Sequence, residues 1–585
     1  MPVTRINTSR TNLFIAIIIN AAILIVFLLF TKLQYETNDD YALSAAISQR
    51  GYPFFPFSNY FLNTFVAFVQ KLTPFWNAWV GCQIVSSFIS FVAITYVFFE
   101  KTKEGLWVRL LGICIVLVFA YDHYTMFQFT KTSALLMVAG SLLTIYALQY
   151  TVSKKILLIG GILLCLGAWY RFTGLYAALC FVAVYAIISV IQNRKQIRLL
   201  LKNEKQKWTQ IAIIIAVLFV IFLTNQLSIK IDVSSNELQA YSDYNSARSR
   251  FMDYPMPGYK ANEEFFKGLG ISDIDYGLMQ NWFLDNNTVA SLENLRQINQ
   301  LQESIQKESI NFSTLILNFL HVTKTHLLGS DKYGINTRFL FLLGVLILAT
   351  TRIKRYPQFA FLALAYFVLN LYLFSIERSL YRATYVIDLA AAVWCVYSIR
   401  PGDQRTFFSK KCNGEQKIRL AKLLASVVII LIVGLNIGGF LKQQTPGENV
   451  SYQTNSGILM QYINSHPDKV FVFYNTASSL YNFGQYYYLN PIKPLPYGFQ
   501  DNVFGFGGWS MMSPYINDRM EQKNLSNVFG DIVDNKSVYV IDIDVDNIWM
   551  REQFFTEHYA PPNETIYYQR VDTIGGFPLW QVKTG

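Results

Sequence analysis

Apolar residues run without a charge from Leu13 to Phe30, interrupted only by Asn20. About 18 such residues cross a hydrocarbon core of roughly 30 Å as a helix, so the pattern predicts a membrane span near the N-terminus. No small-residue cleavage site follows it, which predicts a retained span rather than a removed signal peptide. Ten further apolar segments lie near residues 77 to 99, 107 to 121, 133 to 150, 156 to 169, 173 to 191, 210 to 228, 336 to 351, 358 to 374, 384 to 399 and 421 to 440. Those at 107 to 121 and 156 to 169 are short for a full crossing, and tilting, local thinning or re-entry would accommodate them.

Three longer segments separate the spans. In residues 33 to 76, "ETNDDYALSAAISQRG" predicts an acidic turn entering a short helix, and "NYFLNTFVAFVQKL" has the spacing of a helix lying in the membrane interface. Between them "GYPFFPFS" predicts a Pro-broken aromatic turn at headgroup depth. Residues 229 to 335 are helical in pattern, through "NSARSRFMDYPMPGY", "GISDIDYGLMQNWFLDNNT" and "SLENLRQINQLQESIQKES", and are too long for a connector. From residue 441 onward, "KVFVFYN" and "SVYVIDIDV" predict strands, with helices and the loop "GFGGWSMMSPY" between them. The expected organisation is a membrane domain over 1–440, including the loop 33–76 and the insertion 229–335, followed by an α/β domain over 441–585.

Composition agrees: of 585 residues, 52% are hydrophobic and only 15% charged, outside the range of soluble globular chains. The net charge of +11 would suggest nucleic acid, were its basic residues not concentrated in short loops. Arg5 and Arg10, "NRKQIRLLLKNEKQK", "TRIKR" and "RPGDQRTFFSKK" all fall on one side if eleven spans are real. Basic residues near span ends resist translocation, so the N-terminus is expected in the cytoplasm and the C-terminal domain outside it. The charge is thus topological, and no nucleic-acid partner is expected. Cys82, Cys114, Cys165, Cys180 and Cys395 fall in spans and Cys412 in a cytoplasmic loop, leaving the outer segments without disulfides. That favours a bacterial plasma membrane.

The leading chemical candidate is Asp39-Asp40, about nine residues beyond the first span. Adjacent carboxylates repel, so one tends to hold its proton unless a cation relieves the pair, which suits a general base or a divalent-metal ligand. The competing reading is that Asn38 or Asp39 simply caps the next helix. Asp122, His123 and Lys131, then Arg171, then Glu377, Arg378 and Arg382 flank spans on the same face. Ionisable groups at membrane depth are costly and mark pathways, pairs or ligands. Arginines at that interface suit a phosphate or diphosphate headgroup. The structural alternatives are snorkelling for Arg171, an ion pair of Glu377 with Arg378 or Arg382, and a satisfied interfacial role for His123. Arg248, Arg250 and Asp253 in the insertion read as structural or as substrate-binding. No HExxH, CxxC, P-loop or GxSxG pattern is present.

An acidic pair after the first span, interfacial helices behind it and a large C-terminal segment together resemble the GT-C superfamily of membrane glycosyltransferases. More narrowly, "TNDDYALSAAISQRGYPFFPFSNYFLN", "QFTKTSALL", "NSARSRFMDYP" and "GGWSMMSP" are similar to a group of bacterial membrane proteins sharing this plan. The resemblance covers most of the chain. It implies a polytopic α-helical fold with a GT-C-like core of about eleven spans, a polyprenyl-phosphate sugar donor in the outer leaflet and a cell-surface glycan as acceptor. It further implies that Asp39 or Asp40, with Glu36 a third candidate, is the catalytic base or binds a divalent metal, Mg or Mn, assisting the leaving phosphate. Arg171, Arg378 and Arg382 would then neutralise the lipid phosphate. Because acidic residues in that superfamily are often not adjacent, the choice between Asp39 and Asp40 stays open. Competing functions are a transporter or lipid-linked-sugar flippase, a surface polysaccharide polymerase or ligase, and an adhesion domain on a membrane anchor.

Overall fold

The computed structural model describes residues 3–55, 57–101, 106–150, 154–203, 205–309, 312–328, 334–350, 356–399, 449–475, 490–495, 498 and 501–585. The span expected at 421 to 440, the basic segments "TRIKR" and "RPGDQRTFFSKK", and Cys412 lie outside these residues.

Helices occupy ten of the eleven apolar segments. α1 (Val3–Phe30) leads to α2 (Asn38–Arg50) and α3 (Tyr60–Leu72), which fill the first loop. The bundle continues with α4 (Ala78–Glu100), α5 (Leu106–Thr125), α6 (Phe129–Tyr150), α7 (Lys154–Tyr170), α8 (Gly174–Asn203) and α9 (Lys205–Ile231). After the insertion come α14 (Phe312–Leu328), α15 (Gly334–Thr350), α16 (Tyr356–Ser375) and α17 (Tyr381–Ser398). Seven of these are long and apolar enough to cross a membrane, and the chain is a polytopic helical membrane protein. α6 is central, with 83% of its apolar window buried, whereas α1 and α9 bury 11% and present their apolar side chains to lipid.

α6 and α7 approach closely because both carry glycines at the crossing. A Cβ on Gly140 would meet the Gly160 carbonyl at 2.7 Å, and one on Gly160 would meet Thr144 Oγ1 at 2.7 Å. In lipid, where apolar association has little solvent drive, such small-residue contacts let helices pack. Ser133 Oγ on α6 then donates to the carbonyls of Gly167 at 2.7 Å and Arg171 at 3.1 Å, fixing the end of α7 where Arg171 emerges.

The first loop is held to the bundle by a two-strand parallel ladder, β1 (Gln34–Tyr35) against β2 (Met126–Phe127) in the α5–α6 turn. The N-cap of α2 is Thr37, so neither Asn38 nor Asp39 caps it, and Asp39 and Asp40 lie in the first turn. Carboxylates there interact favourably with the helix dipole. Gly51 closes α2 in the left-handed region at φ 62°, donating to the Ile47 carbonyl. α3 buries Leu62, Val66 and Ala67 and exposes Phe65, Phe68 and Leu72, the amphipathic division its spacing predicts.

The insertion forms α10 (Asn236–Asp253), α11 (Glu263–Gly268), α12 (Asp273–Gln280) and α13 (Leu292–Ser309). The tail has α18 (Asn449–Ser465), α19 (Pro514–Glu521) and α20 (Ile548–Tyr559) around a five-stranded sheet. Its strands are β3 (Val470–Phe473), β4 (Val503–Gly505), β5 (Val538–Ile541), β6 (Ile566–Ile574) and β7 (Phe577–Thr584), in the order β4-β3-β5-β7-β6. β3 runs parallel to β4 and β5, whereas β7 is antiparallel to β5 and β6. Insertion and tail share one apolar core: Phe283 packs its ring on Tyr474, Phe506, Phe529, Phe554 and Phe555 at centroid distances from 4.7 to 6.1 Å.

Candidate functional site

Ends of α2, α7, α10 and α17 and the α16–α17 turn bring six charged side chains together. Arg382 Nη1 lies 3.5 Å from Asp39 Oδ2, and Arg378 Nη1 lies 3.3 Å from Asp253 Oδ2. Arg171 is close enough to feel the charges of Arg382, Asp39, Arg378 and Asp253, and Arg248 those of Asp253 and Asp39. Four guanidinium groups therefore face two carboxylates, an excess of two positive charges.

The surroundings make that excess costly. Burial, then the neighbouring Arg382, lowers the Arg171 guanidinium to about 10. Arg248 is buried too, held by Asn245 Oδ1 at 2.7 Å and stacked over Trp282 at 5.4 Å, and burial lowers its guanidinium as well. Burial raises the Asp39 carboxyl, while Arg382 and Arg171 pull it back. An anionic group entering here would relieve the arginines, and Asp39 sits beside it as a partly exposed carboxylate, a hydrogen-bond acceptor with proton affinity above an ordinary aspartate.

Asp40, the adjacent residue, points the other way. It is fully buried, and Oδ1 accepts from Gln83 Nε2 at 2.9 Å, Trp79 Nε1 at 3.0 Å and the Phe129 N–H at 3.1 Å. Oδ2 lies 3.3 Å from the same N–H. Its oxygens thus tie α2 to α4 and to the start of α6. Burial pushes its carboxyl up to about 7 despite these donors. With the folded value above the unfolded one, this group stabilises the fold most at low pH, and the contribution fades as pH rises to about 7. Asp40→Asn keeps one acceptor oxygen and is expected to cost about 1–2 kcal/mol at pH 5, a cost that shrinks or reverses at pH 8 because the amide has no such pH dependence. The check is the thermal midpoint of each protein at pH 5 and pH 8.

Glu36, Asp122 and Lys131 form a second, buried group. Lys131 Nζ pairs with Glu36 and lies 3.0 Å from Asp122 Oδ1. Tyr381 donates to Asp122 Oδ2 at 2.7 Å, and Asn336 donates to the Tyr381 hydroxyl at 2.9 Å. His123 is buried between the rings of Phe91 and Tyr385 with Nδ1 3.1 Å from Ser87 Oγ, away from the arginines. Glu377 is exposed at φ 52° and pairs with neither Arg378 nor Arg382 among the described residues. Arg250 pairs with Glu303 on the insertion surface.

Asp39 and Asp40 do not present their carboxylates to one point, so a divalent ion would have to take Asp39 and displace donors from Asp40. The group of three metal-type ligands among the described residues is elsewhere: Asp275, Glu557 and His558, within 4.8 Å of one another at the contact of α12 and α20. Asp388 escaped the sequence reading altogether. It is a lone carboxylate in the apolar run of α17, accepting from Tyr366 at 3.1 Å, and such a group within a span is itself a signal.

No protein-family model matches the chain, and neither does any curated protein. Among solved structures it is similar to ArnT from Cupriavidus metallidurans in the apo state, over 96% of this chain and 97% of that one, with 10% identity and a TM-score of 0.38. A likeness that loose transfers no residue's role.

Proposed function

We propose that this chain is a membrane glycosyltransferase that moves a sugar from a polyprenyl-phosphate donor to a cell-envelope glycan or related acceptor. The observation that carries the reading is the excess of arginine around one accessible carboxylate, at span ends on a single face. Arg171, Arg378 and Arg382 neutralise the lipid phosphate as the sugar–phosphate bond breaks, where such charge stabilisation counts most. Asp39 takes the proton of the acceptor hydroxyl, and Asp40 holds the helix that aims it. With the basic loops in the cytoplasm, as the distribution of Lys and Arg along the sequence favours, this face is the extracytoplasmic one. The arginine excess and the diverging carboxylates do not fit a divalent metal, Mg or Mn, at Asp39, so the arginines alone supply the leaving-group charge stabilisation. A transporter would place its charges near the bilayer midplane, whereas these sit at helix ends.

Two measurements test this. Protein in nanodiscs should capture undecaprenyl phosphate but not undecaprenol, and Arg171→Gln or Arg382→Gln should weaken capture about tenfold, as loss of one charged contact predicts. Equal capture of both lipids would end the proposal. Because the Asp39 carboxyl is raised, transfer should decline as pH falls through a value above the ordinary aspartate range, since only the deprotonated form accepts a proton.

A further inference from the structure

A second recess lies where the insertion meets the tail. Asn286 and Asn287 form one wall, the loop of residues 505–512 and α19 the others, and together they enclose about 310 Å³. That is the lower end of the range for small-molecule sites. None of its fourteen lining residues is charged. The larger recess near His558, by contrast, is lined by four acidic residues and two lysines.

Among the polar lining residues, Ser526 Oγ donates to Asp531, Asn527 Nδ2 donates to Tyr559 and Asn527 Oδ1 accepts from the Phe529 N–H, but four other polar atoms are unspent. Asn287 Nδ2, Ser510 Oγ, Asn286 Oδ1 and Asn517 Oδ1 make no hydrogen bond to the described residues, although the other ends of the three amides are engaged. Both donors and acceptors are thus present among the lining side chains, as a polyol requires, because each hydroxyl both gives and takes a hydrogen bond. Met511, Met512, Ile516 and Met520 supply an adaptable apolar floor for C–H faces. A phosphate or carboxylate would find no cation there.

The walls are fixed in place. Leu284 N–H donates to the Phe506 carbonyl at 2.8 Å, and a Cβ on Gly507 would meet the Trp282 carbonyl at 2.1 Å, so only glycine lets the loop close on the insertion. Met512 holds φ 62°. The same loop reaches the first site: Trp509 packs on Phe57 at 5.1 Å and Phe55 at 6.2 Å, and Phe57 packs on Phe129, whose ring faces Arg171.

We propose that this recess binds an uncharged polyhydroxylated stretch of the acceptor glycan. The proposal rests on the transferase reading for the word acceptor, and on the recess alone for the ligand class. The test is binding of full-length protein in nanodiscs to immobilised neutral oligosaccharides, derived from dextran, mannan, galactan and maltodextrin, beside acidic polygalacturonate fragments. At least one neutral series should bind, with Asn287→Ala and Ser510→Ala weakening it tenfold or more and Arg250→Gln, whose side chain pairs with Glu303 outside the recess lining, changing it less than threefold. Binding of no neutral series, binding of the acidic fragments alone, or unchanged binding by both alanine variants would overturn it. Loss of undecaprenyl phosphate capture alongside intact neutral binding would sink the transferase reading and leave the recess as a glycan site.

Discussion

Asp39→Asn is expected to lower sugar transfer by about 10²–10⁴-fold while leaving the protein at its normal level in the membrane. The amide preserves shape and one acceptor oxygen but has no useful proton affinity, so only the chemical step suffers. Asp39 makes one ion pair to a described residue, at 3.5 Å to Arg382, and its loss should cost well under the amount that unfolds a domain. Surface-glycan composition, or transfer by purified protein, is the readout. Full transfer by Asp39→Asn would remove Asp39 as the base.

Lys131→Met should have the opposite profile. It strands Glu36 and Asp122, two carboxylates buried around one ammonium, and an uncompensated buried charge costs about 3–5 kcal/mol. The first loop, α5, α6 and, through Tyr381, α17 meet at this point, so the loss should appear as poor accumulation and a lowered unfolding midpoint in detergent. Adding Glu36→Gln and Asp122→Asn should restore part of it, because neutral amides need no counter-charge. A single Lys131→Met variant of normal stability would show that water or another cation compensates the pair.

Apolar run length identified ten helices, because a lipid-facing helix is written in consecutive residues. The strands β3 and β5 were legible for a similar reason, as short β-branched and aromatic runs. The β6–β7 hairpin was not read, although Gly575 and Gly576 at φ 55° and 79° supply the two left-handed positions a tight hairpin needs. At the site, the sequence places Asp39 and Asp40 together as equivalents. What separates them is long-range: Trp79, Gln83 and Phe129 converge on one and Arg382 on the other, and no local pattern encodes which way each carboxylate points. Lys131, Asp122 and Glu36 likewise look like three isolated polar residues until the bundle closes.

The core shared by the insertion and the tail has a consequence for synthesis. About 160 residues separate Ser309, the end of α13, from Val470, the first strand residue against which the insertion packs. At about 5–20 residues per second the ribosome needs roughly 8 to 30 seconds to bridge that interval. For that time Phe283 lacks every tail ring it packs on. A nascent chain stalled or truncated before β3 would leave an aromatic face bare, open to premature association or to chaperone capture, even with most of the bundle already made.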